Sequence, residues 1–212
     1  MKLYSMTGTC ALSIHITLEW VACPFQLVLM NHGDNRSPSF LSINTSGKVP
    51  AIVLDDGKVL TQASAILSWL VNTYPEADIG PGAANPLAHF ALEEMLAYLT
   101  SDVHPAFGPF FGPQRFLADE SQFEALKKAS LSQVASHMAK IDLMLADAPF
   151  ILGEYRTVAD AYLYVLSRWV DNLEAGIKPF PNLARFRARM ESDGAVVRAL
   201  TAQGMKPLGI GG

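Results

Sequence analysis

The residues best suited to chemistry lie in one stretch, Ser5-Met6-Thr7-Gly8-Thr9-Cys10-Ala11-Leu12-Ser13. It follows a short apolar run, Met1 to Tyr4, and precedes the amphipathic run Ile14 to Trp20. Cys10 therefore falls where a strand ends and a helix begins. A thiol at a helix N-terminus feels the positive end of the helix dipole and the free N–H groups of the first turn. Both favour the thiolate, so its pKa is expected below the ordinary value of about 8.5. Thr7, Gly8 and Thr9 supply a turn and hydroxyl donors. Cys10 and Ser13 make a C-x-x-S pattern, which keeps an attacking thiol and lacks a second one to resolve a disulfide. That suits a mixed disulfide with an external thiol. A buried, inert cysteine is the plain alternative.

Several elements must position that sulfur. Residues 2 to 6 read as a strand, and residues 10 to 22 as a helix with apolar spacing at Leu12, Ile16, Leu18 and Val21. Residues 25 to 30 read as a second strand. A polar, turn-rich stretch follows, with one helical turn near Phe40. Residues 49 to 62 hold two strands around Asp56-Gly57, a strong two-residue hairpin signal. Residues 62 to 73 form a helix, with Ala65, Ile66, Trp69 and Leu70 on one face. A parallel β-α-β unit, then a hairpin and a helix, is the thioredoxin-like arrangement.

Residues 74 to 86 are rich in proline, glycine and alanine and read as a linker. Beyond them the periods are helical: 87 to 103, a long helix over 119 to 146, a nearly apolar central helix over 157 to 170, and two shorter, more polar helices. The fold class is α/β plus all-α. The divisions are 1–75, a linker at 76–86, and an all-helical unit at 87–212. The last six residues, Pro207 to Gly212, read as a loose tail. Thr157-Val158-Ala159-Asp160 is a capping box that opens the central helix and serves folding. Trp169 is read as core.

The net charge is −4, and no basic patch is visible, so nucleic acid and anionic membranes are poor partners. No signal peptide and no apolar window of about 20 residues is present, which points to a cytoplasmic chain. The two cysteines, Cys10 and Cys23, form no metal pattern. About 13 residues of helix hold them roughly 20 Å apart, too far for a disulfide.

Three further segments, in order and correctly spaced, resemble the glutathione transferase superfamily across nearly the whole chain. They are Asn44 to Gly57, Leu60 to Ile66, and Ile151 to Tyr164. The opening residues, with cysteine where other classes carry tyrosine or serine, look like the bacterial beta class. So does the histidine segment Ser101 to Phe107. The resemblance implies glutathione as co-substrate, a small hydrophobic electrophile as its partner, no metal, and a homodimer. It makes Cys10 and His104 catalytic and places Lys48, Val49, Pro50, Gln62, Ala63 and Ser64 around glutathione. It implies a cis Val49–Pro50 bond that turns the Val49 backbone toward the cofactor; the residues alone allow an ordinary strand-start proline. The N–H groups of Gln62, Ala63 and Ser64 would hold a carboxylate at a helix N-terminus.

Departures from the class pattern are visible. Gln62 and Ala63 stand where an acidic residue and then serine or glycine are usual. Ser64 either compensates or caps the helix. Ala97 replaces an asparagine seven residues before His104, and Pro105 replaces a following lysine and should kink its helix. His15, His32, His89 and His137 are read as structural. Phe107, Phe110, Phe111, Phe116 and Tyr164 line an apolar second-substrate pocket or are ordinary core. Three activities remain open: conjugation of glutathione to an electrophile, thiol–disulfide or peroxide chemistry through Cys10, and a weakly binding carrier of the same fold.

Overall fold

The computed structural model describes residues 1–81 and 85–209. Strand β1, Lys2–Met6, lies centrally in a four-stranded sheet of order β2-β1-β3-β4. The others are β2, Gln26–Met30, β3, Ala51–Val53, and β4, Val59–Thr61. β1 and β2 are parallel, with Leu3 opposite Leu27, as a crossover through helix α1, Ala11–Val21, requires. β3 runs antiparallel to both β1 and β4. The expected hairpin closes at Gly57, whose φ of +85° suits a residue without a Cβ. A single turn, α2, Pro38–Leu41, buries Phe40, and α3, Ala63–Thr73, follows the hairpin. The thioredoxin-like arrangement is present as read.

Helix α1 is more deeply enclosed than its apolar spacing implied. Ala11 through Leu18 are each at most 1% exposed, because helices cover it on the side away from the sheet. Its polar residues are satisfied locally: Thr17 Oγ1 donates to the Ser13 carbonyl at 2.9 Å, and Gln203 Nε2 meets His15 Nδ1 at 2.9 Å.

Residues before the helical part are anchored rather than merely connecting. Ile79 is 1% exposed, and its carbonyl accepts the Val158 N–H at 2.8 Å. Residues 82–84 of the expected linker lie outside the described residues.

Helix α4, Pro86–Tyr98, passes into a π-helical segment, Leu99–Val103, and then into two short helices, α5, His104–Ala106, and α6, Gly108–Phe111. The proline at 105 has this physical consequence. It has no N–H and its ring crowds the preceding turn, so the ladder widens ahead of it. The His104 N–H reaches the Leu99 carbonyl, five residues back. Thr100 and Ser101 return their hydroxyls to Leu96 and Ala97 carbonyls at 2.7 and 2.6 Å. The expected kink is thus a change of helical pitch that ends at His104.

The long helix α7 spans Phe123–Met144. The central helix α8, Val158–Trp169, is buried from Val158 through Ser167. Its capping box forms, and it does more than cap. The Asp160 carboxylate accepts from the Thr157 N–H at 2.7 Å and from the Ile151 N–H at 2.8 Å. Burial pushes the Asp160 carboxyl up to about 6 against those hydrogen bonds. Helices α9, Pro181–Glu191, and α10, Gly194–Ala202, complete the packing around α1 and α8. One core cluster runs from Leu3 and Ile52 to Val196 and Leu200.

The expectation of a loose tail fails for residues 207–209, and Lys206 before them is held as well. The Glu191 carboxylate takes the Leu208 and Gly209 N–H groups, each at 2.8 Å, and Arg168 holds the Lys206 carbonyl at 2.9 Å. A small apolar-and-glycine composition gave no sign of these backbone anchors. Residues 210–212 lie outside the described residues.

Because Asp160 serves two buried backbone donors, Asp160→Ala should destabilise the protein by about 2–5 kcal/mol. Urea unfolding checks this; a change in midpoint equivalent to less than about 1 kcal/mol contradicts the assignment.

Candidate functional site

Cys10 is the N-cap residue of α1, with φ −61° and ψ −15°. The turn before it depends on Gly8, at φ +76°. The hydroxyls expected to serve the sulfur serve backbone instead. Thr9 Oγ1 donates to the Met6 carbonyl at 2.7 Å and Thr7 Oγ1 to the Gln203 carbonyl at 3.3 Å. Ser13, the last residue of the C-x-x-S pattern, is fully buried and donates to the Cys10 carbonyl at 2.7 Å. Cys10 Sγ itself faces the Val49 carbonyl at 3.8 Å, across the chain at a cis Val49–Pro50 peptide.

The loop presenting Val49 is fastened by Asn44, a residue the sequence reading passed over. Asn44 is buried. Its Nδ2 donates to the Lys48 carbonyl at 2.7 Å, and its Oδ1 accepts from the Ser46 N–H at 3.2 Å. Gly47, at φ +62°, lies so close to Asn35 and Arg36 that a Cβ there would meet both at 2.9 Å. Asn35 Nδ2 in turn holds the Gly47 carbonyl at 2.6 Å. Lys48 is exposed, with its charge near both Cys10 and His104.

His104 connects to the cysteine through an intermediary. Its Nδ1 hydrogen-bonds the Tyr162 hydroxyl, and that hydroxyl lies against Cys10. Tyr162 is 2% exposed and stands on α8. Seven residues on, so on the same face, is Trp169. The reading of Trp169 as core is corrected: it is half-buried, and its Nε1 donates to the Gly8 carbonyl at 2.8 Å, fixing the turn before Cys10. The rings of His104, Phe107 and Phe111 meet it edge-on, at 4.9, 5.3 and 5.4 Å between centroids.

The remaining aromatics divide. Phe107 is fully buried, while Phe111 and Phe116 are about half exposed. Tyr164 belongs to the core: it is fully buried and bound to Glu191 and Arg168. A cavity of about 310 Å³ adjoins the cluster, bounded by Gly8, Leu12, Trp169, Met205 and Leu208 among others.

Gln62 opens α3 at φ +69° and ψ 115°, an uncommon conformation for a residue with a side chain. Among the described residues no side chain caps α3 from that position. Ser64 gives no cap either, so the first-turn N–H groups remain free to meet an anion. Ala97 is exposed, and its carbonyl is taken by Ser101.

The electrostatics overturn one expectation. Burial pushes the Cys10 thiol up to about 11, although Tyr162, the helix backbone and Lys48 all pull it down. The helix N-terminus is present, and desolvation outweighs it. His104 is pushed down to about 4 by burial and then by the Lys48 charge. Near neutral pH the site thus holds a thiol, a phenol and a neutral imidazole.

The description "Glutathione S-transferase, N-terminal domain" matches residues 7–73, and "Glutathione S-transferase, C-terminal domain" matches residues 99–193. A glutathione S-transferase of Xanthomonas campestris, GST-4.5, is 31% identical over 97% of this chain and 100% of its own. The chain belongs to the glutathione S-transferase family. Among solved structures, a sphingomonad glutathione S-transferase complexed with glutathione matches with TM-score 0.86 and 31% identity, covering 97% of this chain and 100% of the other. A bacterial beta-class transferase of Sphingomonas chungbukensis matches with TM-score 0.87 and 31% identity over the same shares.

In a transferase of this family the sulfur chemistry depends on which thiol is ionised. Alkylation of Cys10 by iodoacetamide, followed by mass spectrometry in a Cys23→Ser chain, should accelerate about tenfold per pH unit up to about pH 11. A plateau reached below about pH 9 would show an activated thiolate instead.

Proposed function

We propose that this chain joins the thiol of glutathione to a small hydrophobic electrophile. The carrying observation is the Cys10 sulfur at the start of α1, set against the cis Val49–Pro50 peptide. The near full-length likeness to a transferase complexed with glutathione supports the choice of co-substrate. In this reading the γ-glutamyl carboxylate lies at the free N-terminus of α3, on Ala63 and Ser64, with Gln62 accepting from the α-ammonium. The Val49 backbone pairs with the tripeptide, and Lys48 adds positive potential near the sulfurs. The electrophile lies along Phe111 and Trp169.

The protonation of Cys10 separates conjugation from redox chemistry. Burial pushes the Cys10 thiol up to about 11, so near neutral pH Cys10 is a thiol rather than a thiolate. A protonated Cys10 donates a hydrogen bond; it does not attack. Glutathione's own sulfur therefore carries the negative charge. It forms the new S–C bond while the leaving group departs with its electron pair, and the thiol proton is lost to water. His104 stays neutral and acts by hydrogen bonding. We further read residues 1–75 as the glutathione-binding unit, 76–86 as linker and 87–212 as the helical unit. The chain works as a cytoplasmic homodimer; among the described residues no helix is long and apolar enough to cross a membrane.

Calorimetric titration with glutathione and conjugation of a chlorodinitrobenzene test the reading. Saturation at about millimolar glutathione or below is expected, and Cys10→Ser, which keeps a hydroxyl donor, should lose no more than about tenfold in kcat/KM. Abolished conjugation together with a glutathione adduct on wild-type Cys10 would favour the mixed-disulfide chemistry. Absence of saturable binding would return the chain to a carrier role, in line with Gln62, Ala63, Ala97 and Pro105.

A further inference from the structure

Tyr162 lies within the Ile151 to Tyr164 segment, where only the Thr157–Asp160 box is given a role, yet it is the residue that stands nearest both His104 and Cys10. It is the fifth residue of α8, is 2% exposed, and has its hydroxyl on His104 Nδ1, with Cys10 near enough for each group to shift the other's ionisation. A buried phenol needs a partner for its single hydrogen. The Cys10 thiol faces the Val49 carbonyl, so in the resting site its hydrogen is directed there. The Tyr162 hydrogen is then free for His104 Nδ1, with the other imidazole nitrogen protonated.

We propose that Tyr162 is the positioning residue of this site: its hydroxyl, oriented by His104, donates a hydrogen bond to whichever sulfur at the Cys10 position carries negative charge. When Cys10 or a bound substrate thiol is ionised, the hydroxyl turns its hydrogen to the anion. The thiol proton leaves to water, and His104 changes tautomer, giving up its Nε2 proton to water and taking one at Nδ1 in exchange, so that Nδ1–H donates to the phenol oxygen and the imidazole ends neutral. For the substrate sulfur this deepens the function proposed above and rests on it; for the Cys10 sulfur it rests on this chain's own geometry.

Three surroundings agree. Burial holds the Tyr162 hydroxyl far above the ordinary phenol value, so it remains a donor over the whole working range. The π-helical segment Leu99–Val103 sets the rotation at which His104 leaves its helix, and its ring packs on Tyr162 at 6.0 Å between centroids. Trp169, on the same face of α8, pins the Gly8 carbonyl two residues before Cys10, so one helix holds both the donor and the turn that carries the sulfur. The charged and titratable groups acting on the cluster are Lys48 with Cys10, His104 and Tyr162 themselves, and Arg168 and Asp171 of the α8 side line the adjoining cavity.

The test is the pH profile of Cys10 alkylation in the Cys23→Ser chain, which requires no turnover. Tyr162→Phe removes one oxygen; it should raise the midpoint by about one unit and slow alkylation about tenfold at a fixed alkaline pH. His104→Leu should act in the same direction, and the double variant should be no slower than Tyr162→Phe alone, because the two act through one hydroxyl. His104→Asn, which keeps an acceptor near the Nδ1 position, should restore most of the wild-type profile. A merely structural role would lower the melting temperature and leave the midpoint in place. An unchanged midpoint in Tyr162→Phe, or additive effects in the double variant, overturns the proposal. If Tyr162→Phe fails to fold, the contrast between His104→Leu and His104→Asn decides, equal midpoints refuting it. Failure of glutathione to bind, with these shifts intact, would count against the proposed function alone.

Discussion

A partly buried sulfur at the start of a helix is pulled in opposite directions. The dipole and free N–H groups of α1 favour its anion, while loss of water disfavours it. At Cys10 the loss of water is the larger effect, and the thiol stays protonated well above neutral pH. Much of the local architecture follows from that balance. A protonated cysteine needs an acceptor, and the Val49 carbonyl supplies one at the cis peptide. Under the proposed function, Tyr162, held by a neutral His104, is a donor available to a second, exogenous thiolate.

Helix α8 is the member that makes this arrangement rigid. Its first turn is held by Asp160, which ties down Ile151 and Thr157, and by the Ile79 carbonyl, which receives Val158. Its middle carries the Tyr162 hydroxyl, and its end carries the Trp169 indole bound to Gly8. Packing of α1 against α8 therefore links the core of the helical region to the turn that bears the sulfur. The Thr157–Asp160 box, which reads as folding alone, sets the position of a chemical group two residues further on.

The sheet, the hairpin at Asp56-Gly57 and the helix boundaries were legible because period and turn chemistry are local. Cys10, Val49–Pro50 and the open start of α3 were legible from the motifs that carry the family resemblance. The reactivity of Cys10 was not, because it depends on its loss of water in the folded chain and on Tyr162 of α8, more than a hundred residues away in the chain. Tyr162 and Trp169 were hidden for a related reason. In an almost wholly apolar helix, a phenol and an indole look like core until the partners of their polar atoms are known. Asn44 was missed because a buried amide bonding backbone has no pattern beyond being an asparagine near a turn. The anchoring of Lys206 to Gly209 depends on Glu191 and Arg168 and leaves no trace in a glycine-rich tail.

Which sulfur carries the charge is the point on which the chemistry turns, and the ultraviolet thiolate band reads it directly. The expected result is no thiolate band in the free protein at neutral pH, a band on addition of glutathione, and the same band in the Cys10→Ser chain. A band already present in the free protein and lost in Cys10→Ser would place the charge on Cys10 and contradict the assignment.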